Sequence, residues 1–116
     1  MKTVFSGIQP TGKVHLGNFL GAIKNWVHLS NEENKNFFCV VDLHSITTHP
    51  DPKELKSNIE QTLKLLIAAG INLDNSIIYA QSSVPQHAYL SWILSSFCQV
   101  GELQRMTQYK EKADSL

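Results

Sequence analysis

Three polar clusters carry residue types that chemistry could use: Gln9 to Asn18, Asp42 to His44, and Gln81 to His87. The first places Gly7, Gly12 and Gly17 around Gln9-Pro10-Thr11 and His15-Leu16-Gly17-Asn18, and glycines there let backbone approach a ligand closely. A helix opening at Gly17 would turn its free N–H groups and the positive end of its dipole towards an anion, phosphate above all. Helix starts usually carry acids, and this one carries none, which a bound polyanion would explain. Charge agrees. Residues 1–31 hold Lys2, Lys13 and Lys24 and no acid, whereas residues 32–116 hold seven bases and ten acids, so an anion favours the first segment. The spacing is neither GxGxxG nor GxxxxGK followed by Ser or Thr, so the usual dinucleotide and P-loop readings fail.

Regular elements must bring these clusters together. Thr3 to Gly7 reads as a strand, followed by a turn in which Pro10 at the second position and Gly12 at the fourth suit type I geometry. From Gly17, Phe19, Leu20, Ile23, Trp26 and Val27 recur at helical spacing, predicting a helix to about Leu29. Asn36 to Asp42 reads as a second strand, since it contains Phe37, Phe38, Cys39, Val40 and Val41 in succession, a continuous apolar run of the kind buried on both faces of a parallel sheet. Asp51-Pro52-Lys53-Glu54 reads as a capped helix start with Glu54 reaching back, Leu55, Ile59, Leu63, Leu66 and Ala69 mark its buried face, and Gly70 ends it. Ser76 to Ala80 is a third strand. Ser83 and Gln86 have capping-box spacing, and Leu90, Ile93, Leu94 and Phe97 form an apolar face stopping near Gly101, with a polar, helix-compatible tail beyond.

Alternation of strand and helix with short links predicts an α/β fold, the first half of a Rossmann-type parallel sheet flanked by helices and truncated before a fourth strand. All three polar clusters then fall at the carboxyl ends of strands, where open α/β sheets bind ligands. The 116 residues are enough for one domain. A formal net charge of zero excludes overall electrostatic attraction to nucleic acid or membrane. Cys39 and Cys98 sit in apolar runs without CxxC or Cys/His spacing, which argues against a disulfide scaffold and a zinc site and for small buried side chains in a reducing cytoplasm. There is no basic leader with an apolar stretch and no run of about 18 apolar residues, so the expectation is a soluble, cytoplasmic chain without membrane contact.

The string SGIQPTGKVHLGNFLGAI, residues 6–23, resembles the ATP-binding signature of class I aminoacyl-tRNA synthetases, whose HIGH-type motif opens the first helix after the first strand. Asn18 stands where the final histidine often stands, and GIQPTG with HLGN is the form seen in the tryptophanyl-tRNA synthetases. VDLHSIT at 41–47, SSVPQHAYLSW at 82–92 and GELQRMTQYKEK at 101–112 resemble the catalytic domain of that family in the same order, so the likeness covers nearly the whole chain. It corresponds to about the N-terminal third of the family.

The resemblance implies an ATP site at Gln9, Pro10, Thr11, Gly17, Asn18 and Lys112, with His15 and Asn18 as catalytic positions. Amide, hydroxyl and backbone donors suit phosphate, ribose and purine, and His15 could donate to the phosphate that gains charge in the transition state. It implies a tryptophan pocket walled by Phe5, Gly7, Val40 and His44, although strand residues such as Phe5 and Val40 serve the core more often. Asp42 is read as capping or orienting a loop. Trp26, Tyr89, Trp92 and Phe97 are expected to pack into the core.

By the same resemblance the activity is ATP-dependent activation of L-tryptophan to tryptophanyl-adenylate and transfer to tRNA(Trp), with Mg2+ on the ATP phosphates and no protein-bound metal. Residues 1–82 would be the first half of the nucleotide-binding catalytic domain, and 83–116 a helical connecting segment at a homodimer interface. The KMSKS-type lysine loop and the helix whose acid reads the indole N–H are absent from these residues, so little turnover is expected of this chain alone. Two alternatives differ in kind: a non-catalytic nucleotide-binding or dimerisation module, and a tyrosyl-tRNA synthetase, which GIQPTG with Asn18 disfavours.

Overall fold

The structure, a computed structural model, describes residues 2–12, 17 and 19–113, the side chains of 111 and 112 excepted. The expectations for His15, Asn18 and the Lys112 side chain lie outside the described residues. The chain divides into two units, Met1–Val84 and Pro85–Leu116.

The first unit is built on three parallel strands, β1 (Lys2–Ile8), β2 (Asn34–Val40) and β3 (Ser76–Ala80), in the order β1-β2-β3. Parallel neighbours need crossovers, and the intervening helices supply them. The first is a π-helical turn at Phe19–Ile23 running into α1 (Lys24–Ser30). The second crossover comprises a short helix α2 (Asp42–Ser45), a 3-10 turn Ile46–Thr48 and the long helix α3 (Pro52–Ala68). This is the expected half of a Rossmann-type sheet.

Register sorts the strand residues by face. Ile8 stands opposite Val40 and Ser6 opposite Phe38, and these even positions lie under the helices. Phe38 stacks on Trp26 with ring centroids 4.5 Å apart and planes 6° from parallel. Around them Ile8, Ile23, Val40, Leu66 and Ile71 complete the core. On the odd positions Phe5, Phe37 and Ile77 form one row across the sheet and Gly7, Cys39 and Tyr79 the next. Phe5 is 66% exposed and Ile77 50%. On that face β1 and β3 are therefore open at Phe5 and Ile77, whereas β2 between them is buried on both faces at Phe38, Cys39 and Val40, as its continuous apolar run implied.

Local signals explain the helix ends. Asp51 caps α3 by accepting hydrogen bonds from the N–H groups of Lys53 (2.9 Å) and Glu54 (3.0 Å), with Pro52 in the first turn. At the other end Gly70 takes φ +94°, the left-handed conformation that ends a helix. The buried stripe includes Thr62, unforeseen as core, whose hydroxyl is satisfied by donating to the Asn58 carbonyl at 2.8 Å. In the first crossover the apolar face begins at Ile23 rather than Phe19, because the wider π turn rotates Phe19 and Leu20 out to solvent.

Three expectations are corrected. Strand β2 ends at Val40, not Asp42, because the Asp42 carboxylate bonds backbone N–H groups and starts a helical turn instead. The Gln9–Gly12 turn is tighter than type I: Thr11 N–H donates to the Gln9 carbonyl at 2.9 Å, a three-residue turn centred on Pro10, followed by Gly12 at φ +85°. Ser83 does not cap a helix. It belongs to a 3-10 turn, Gln81–Ser83, and Pro85 opens the next helix, α4 (Pro85–Ser95).

The second unit consists of α4, α5 (Val100–Leu103) and α6 (Thr107–Ala113). The apolar face expected to be core is exposed: Tyr89 at 69%, Trp92 at 75% and Phe97 at 79%. None of the described residues of α4 is buried.

Candidate functional site

The carboxyl ends of β1, β2 and β3 lead into Gln9, Val41 and Gln81 respectively, so the topology gathers the three polar clusters at one end of the sheet. At that end Gln9 and Thr11 are exposed and Pro10 is buried. They line a cavity of about 250 Å³ whose far wall is Ser45 and Thr48 from the second crossover and Glu54, Leu55 and Asn58 from α3. A Cβ on Gly12 would meet the Asn58 side-chain amide at 3.6 Å, so the loop lies close against α3. Gly17 is helical and exposed. This loop offers amide, hydroxyl and backbone donors, with Glu54 on the facing wall of the cavity.

The open sheet face meets this end at Gly7. A Cβ there would come within 2.9 Å of Val41 Cγ1, so the absent side chain is what lets Val41 lie over β1. Phe5, Gly7 and Val41 share a face, with Lys35 Nζ 5.5 Å above the neighbouring Phe37 ring. Val40 faces the other way. It is fully buried in the helix-side core, so of the four residues expected to wall an aromatic substrate, Phe5 and Gly7 come together and Val40 does not join them. Val41, half-buried, was overlooked by sequence reasoning; the two-residue period from Phe37 and Cys39 would have placed it on the open side.

Just past the strand ends the chain is held by side chains. His44 Nδ1 and Gln81 Oε1 form a hydrogen bond of 2.9 Å in which the amide oxygen accepts, and in the neutral tautomer that makes this bond Nε2 is an acceptor. Asp42, 5% exposed, accepts through Oδ1 from the N–H groups of Leu43 and Ser82, both at 3.0 Å. Gln81, which no motif reading had singled out by role, is thus the partner of His44.

Cys39 lies buried on β2, where the thiolate form is disfavoured. Burial pushes its thiol above the ordinary range; a hydrogen bond with Tyr79 opposes this and the nearby Asp42 carboxylate adds to it. Burial and the same bond also raise the Tyr79 phenol. No group of three or more His, Cys, Asp or Glu residues able to hold a metal occurs among the described residues. None of their helices is long and apolar enough to cross a membrane.

Comparison with known proteins gives the geometry a context. The family model described as tRNA synthetases class I (W and Y) matches residues 1–116. A tryptophan--tRNA ligase of Oceanobacillus iheyensis is 53% identical over 113 residues, covering 97% of this chain and 34% of the relative. Among solved structures, tryptophanyl-tRNA synthetase of Mycoplasma pneumoniae superposes with a TM-score of 0.88 at 38% identity, over 97% of this chain and 33% of that one. The Campylobacter jejuni synthetase solved with ADP and tryptophan superposes at 0.87 with 34% identity, over 99% of this chain and 35% of that one. The chain spans about a third of the length of the curated relatives it matches.

Proposed function

The chain belongs to the class I tRNA synthetases (W and Y), and we propose that it forms the substrate-binding first third of a tryptophan-tRNA ligase. The observation that carries this reading is the 53% identity to a ligase of that name over 97% of the chain, together with polar clusters at the carboxyl ends of all three parallel strands. In the proposed reaction a tryptophan carboxylate oxygen attacks the ATP α-phosphorus in line. The new O–P bond forms as the bond to pyrophosphate breaks, giving tryptophanyl-adenylate, and a terminal tRNA(Trp) hydroxyl then takes the tryptophanyl group with release of AMP. Such chemistry asks chiefly for positioning and for donors aimed at the phosphates.

Gln9, Pro10, Thr11, Gly17 and Asn18 hold ATP in this reading, His15 and Asn18 stabilise the reacting phosphate, and Lys112 meets the pyrophosphate. Mg2+ arrives with the ATP. The indole lies on the open sheet face against Phe5 and Gly7, with Val41 in place of Val40 and His44 at the polar edge. A flat apolar surface ending in a hydrogen-bonding group suits an indole.

Two further parts of the proposal concern assembly. Residues 83–116 form homodimer contacts, supported by the exposed Tyr89 and Trp92 on a helix with no buried residue and by the exposed Phe97 just beyond its end. The protein works in the cytoplasm, as bacterial translation enzymes do.

Tryptophan-dependent ATP–pyrophosphate exchange by the protein at its full encoded length tests the activity. Exchange with tryptophan and at least about 100-fold less with tyrosine is expected, since a site built for one donor pattern rejects the other side chain strongly. Exchange with tyrosine instead overturns the substrate assignment, and ATP binding with no exchange for either amino acid leaves the binding-module reading.

A further inference from the structure

We infer that Asp42 is a positioning residue: its buried carboxylate clasps the β2 and β3 loop ends and thereby fixes the His44–Gln81 pair, with His44 Nε2 as acceptor for an N–H donor of the substrate. The inference rests on the proposed site, in which His44 borders the amino-acid pocket.

Val40 and Ala80 are the last register partners of β2 and β3, so beyond them no sheet ladder holds the two chains together. Two side-chain links span the gap, from Asp42 Oδ1 to the Ser82 N–H and from His44 Nδ1 to Gln81 Oε1. They join adjacent residues, 81 and 82, on one loop to residues two apart, 42 and 44, on the other. Their strengths differ in kind. The His44–Gln81 bond is exposed, so water competes for both partners and the bond alone cannot hold the ring. The Asp42 link is charge-assisted, accepts from two backbone groups at 3.0 Å, and comes from a residue 5% exposed. The buried link therefore sets the distance between the loops, and the exposed link reads it out as a ring orientation and a tautomer. In the neutral tautomer with Nδ1–H towards Gln81, Nε2 can only accept. Loss of the clasp frees the ring to rotate and exchange tautomers, and the Nε2-protonated tautomer presents a donor where an acceptor is needed.

Ser82 is exposed, so water can satisfy its N–H when the carboxylate is removed, and the fold need not fail with the clasp. The test uses the protein at its full encoded length with Asp42→Ala, Asp42→Asn, His44→Ala and the Asp42→Ala/His44→Ala double variant. Exchange kinetics and the imidazole nitrogen spectrum of His44 are read for each. Asp42→Ala is expected to raise the tryptophan KM about 10-fold while the ATP KM stays within about twofold, and Asp42→Asn, which keeps an accepting oxygen, to raise it about threefold. In the His44→Ala background the Asp42→Ala step should change the tryptophan KM less than about twofold, because residues acting through one another are not additive. The His44 spectrum should pass from a single Nδ1-protonated form to a tautomer mixture in Asp42→Ala. An equal effect of Asp42→Ala in both backgrounds, or an unchanged His44 spectrum, overturns the inference. Absence of tryptophan exchange in the unsubstituted protein overturns the functional reading instead, and the His44 spectrum then decides the clasp by itself.

Discussion

The two faces of the three-stranded sheet are made by the same strands and do different work. On the helix side, Phe38 and Val40 are fully buried beneath Trp26, Ile23 and Leu66. On the other side Phe5 and Ile77 stand half to two-thirds exposed, beside a glycine whose missing side chain opens room at the strand end. Alternate residues of one strand thus divide between holding the unit together and leaving a surface for a ligand. The two units differ as well: the first buries Trp26 and Phe38 in its core, while the second leaves Tyr89, Trp92 and Phe97 exposed.

If this division is real, substitutions on the two faces must differ in size. Phe38→Ala removes a stacked ring from the closed face and should cost about 3–5 kcal/mol in urea unfolding, the range for aromatic truncation in a core. A cost below ~1 kcal/mol would break the comparison at its strongest point. Ser30→Ala comes next. Its fully buried hydroxyl donates to the Val27 carbonyl at 2.8 Å and accepts from the Asn72 N–H at 3.0 Å, joining α1 to the segment before β3. Stranding that N–H should cost about 1–3 kcal/mol. Asp51→Ala, which uncaps the helix lying over the closed face, should cost about 1 kcal/mol in the same measurement. Phe5→Ala, on the open face, should change stability by less than ~1 kcal/mol yet weaken tryptophan binding measured by titration.

The smallest effect is chemical. Cys39 belongs to an open-face row but is itself buried, and burial holds its thiol up, whereas Cys98 is exposed. Iodoacetamide at neutral pH should therefore label Cys98 well before Cys39, as followed by peptide mass. Equal labelling would show that the open face admits reagents further than its exposure implies.

How much of this the sequence carried depended on the range of each signal. The Asp51 cap and the Gly70 stop were legible because their bonds run to residues a few positions away. The parallel three-strand order followed from alternation, and the gathering of polar clusters followed from that order. Ser83 was misread because its spacing to Gln86 fits a capping box, while Pro85 two residues on fixes the start of the helix. Val40 was misplaced because an unbroken apolar run hides which residues face which side; only the pairing with β1 and the clearance at Gly7 separate Val40 from Val41. The Asp42 to Ser82 link spans forty residues and has no local signature. The apolar stripe of α4 told which residues share a face but not whether anything covers them.

The central claim is that the open face, ending at Phe5, Gly7, Val41 and His44, receives the amino acid. A tryptophan titration of the isotope-labelled protein at its full encoded length, followed by NMR, tests it most directly. Saturable shifts of the Phe5 and His44 side chains are expected, with Phe38 and Val40 unmoved. Shifts confined to the helix-side core or to residues 85–113, with Phe5 and His44 silent, would contradict it.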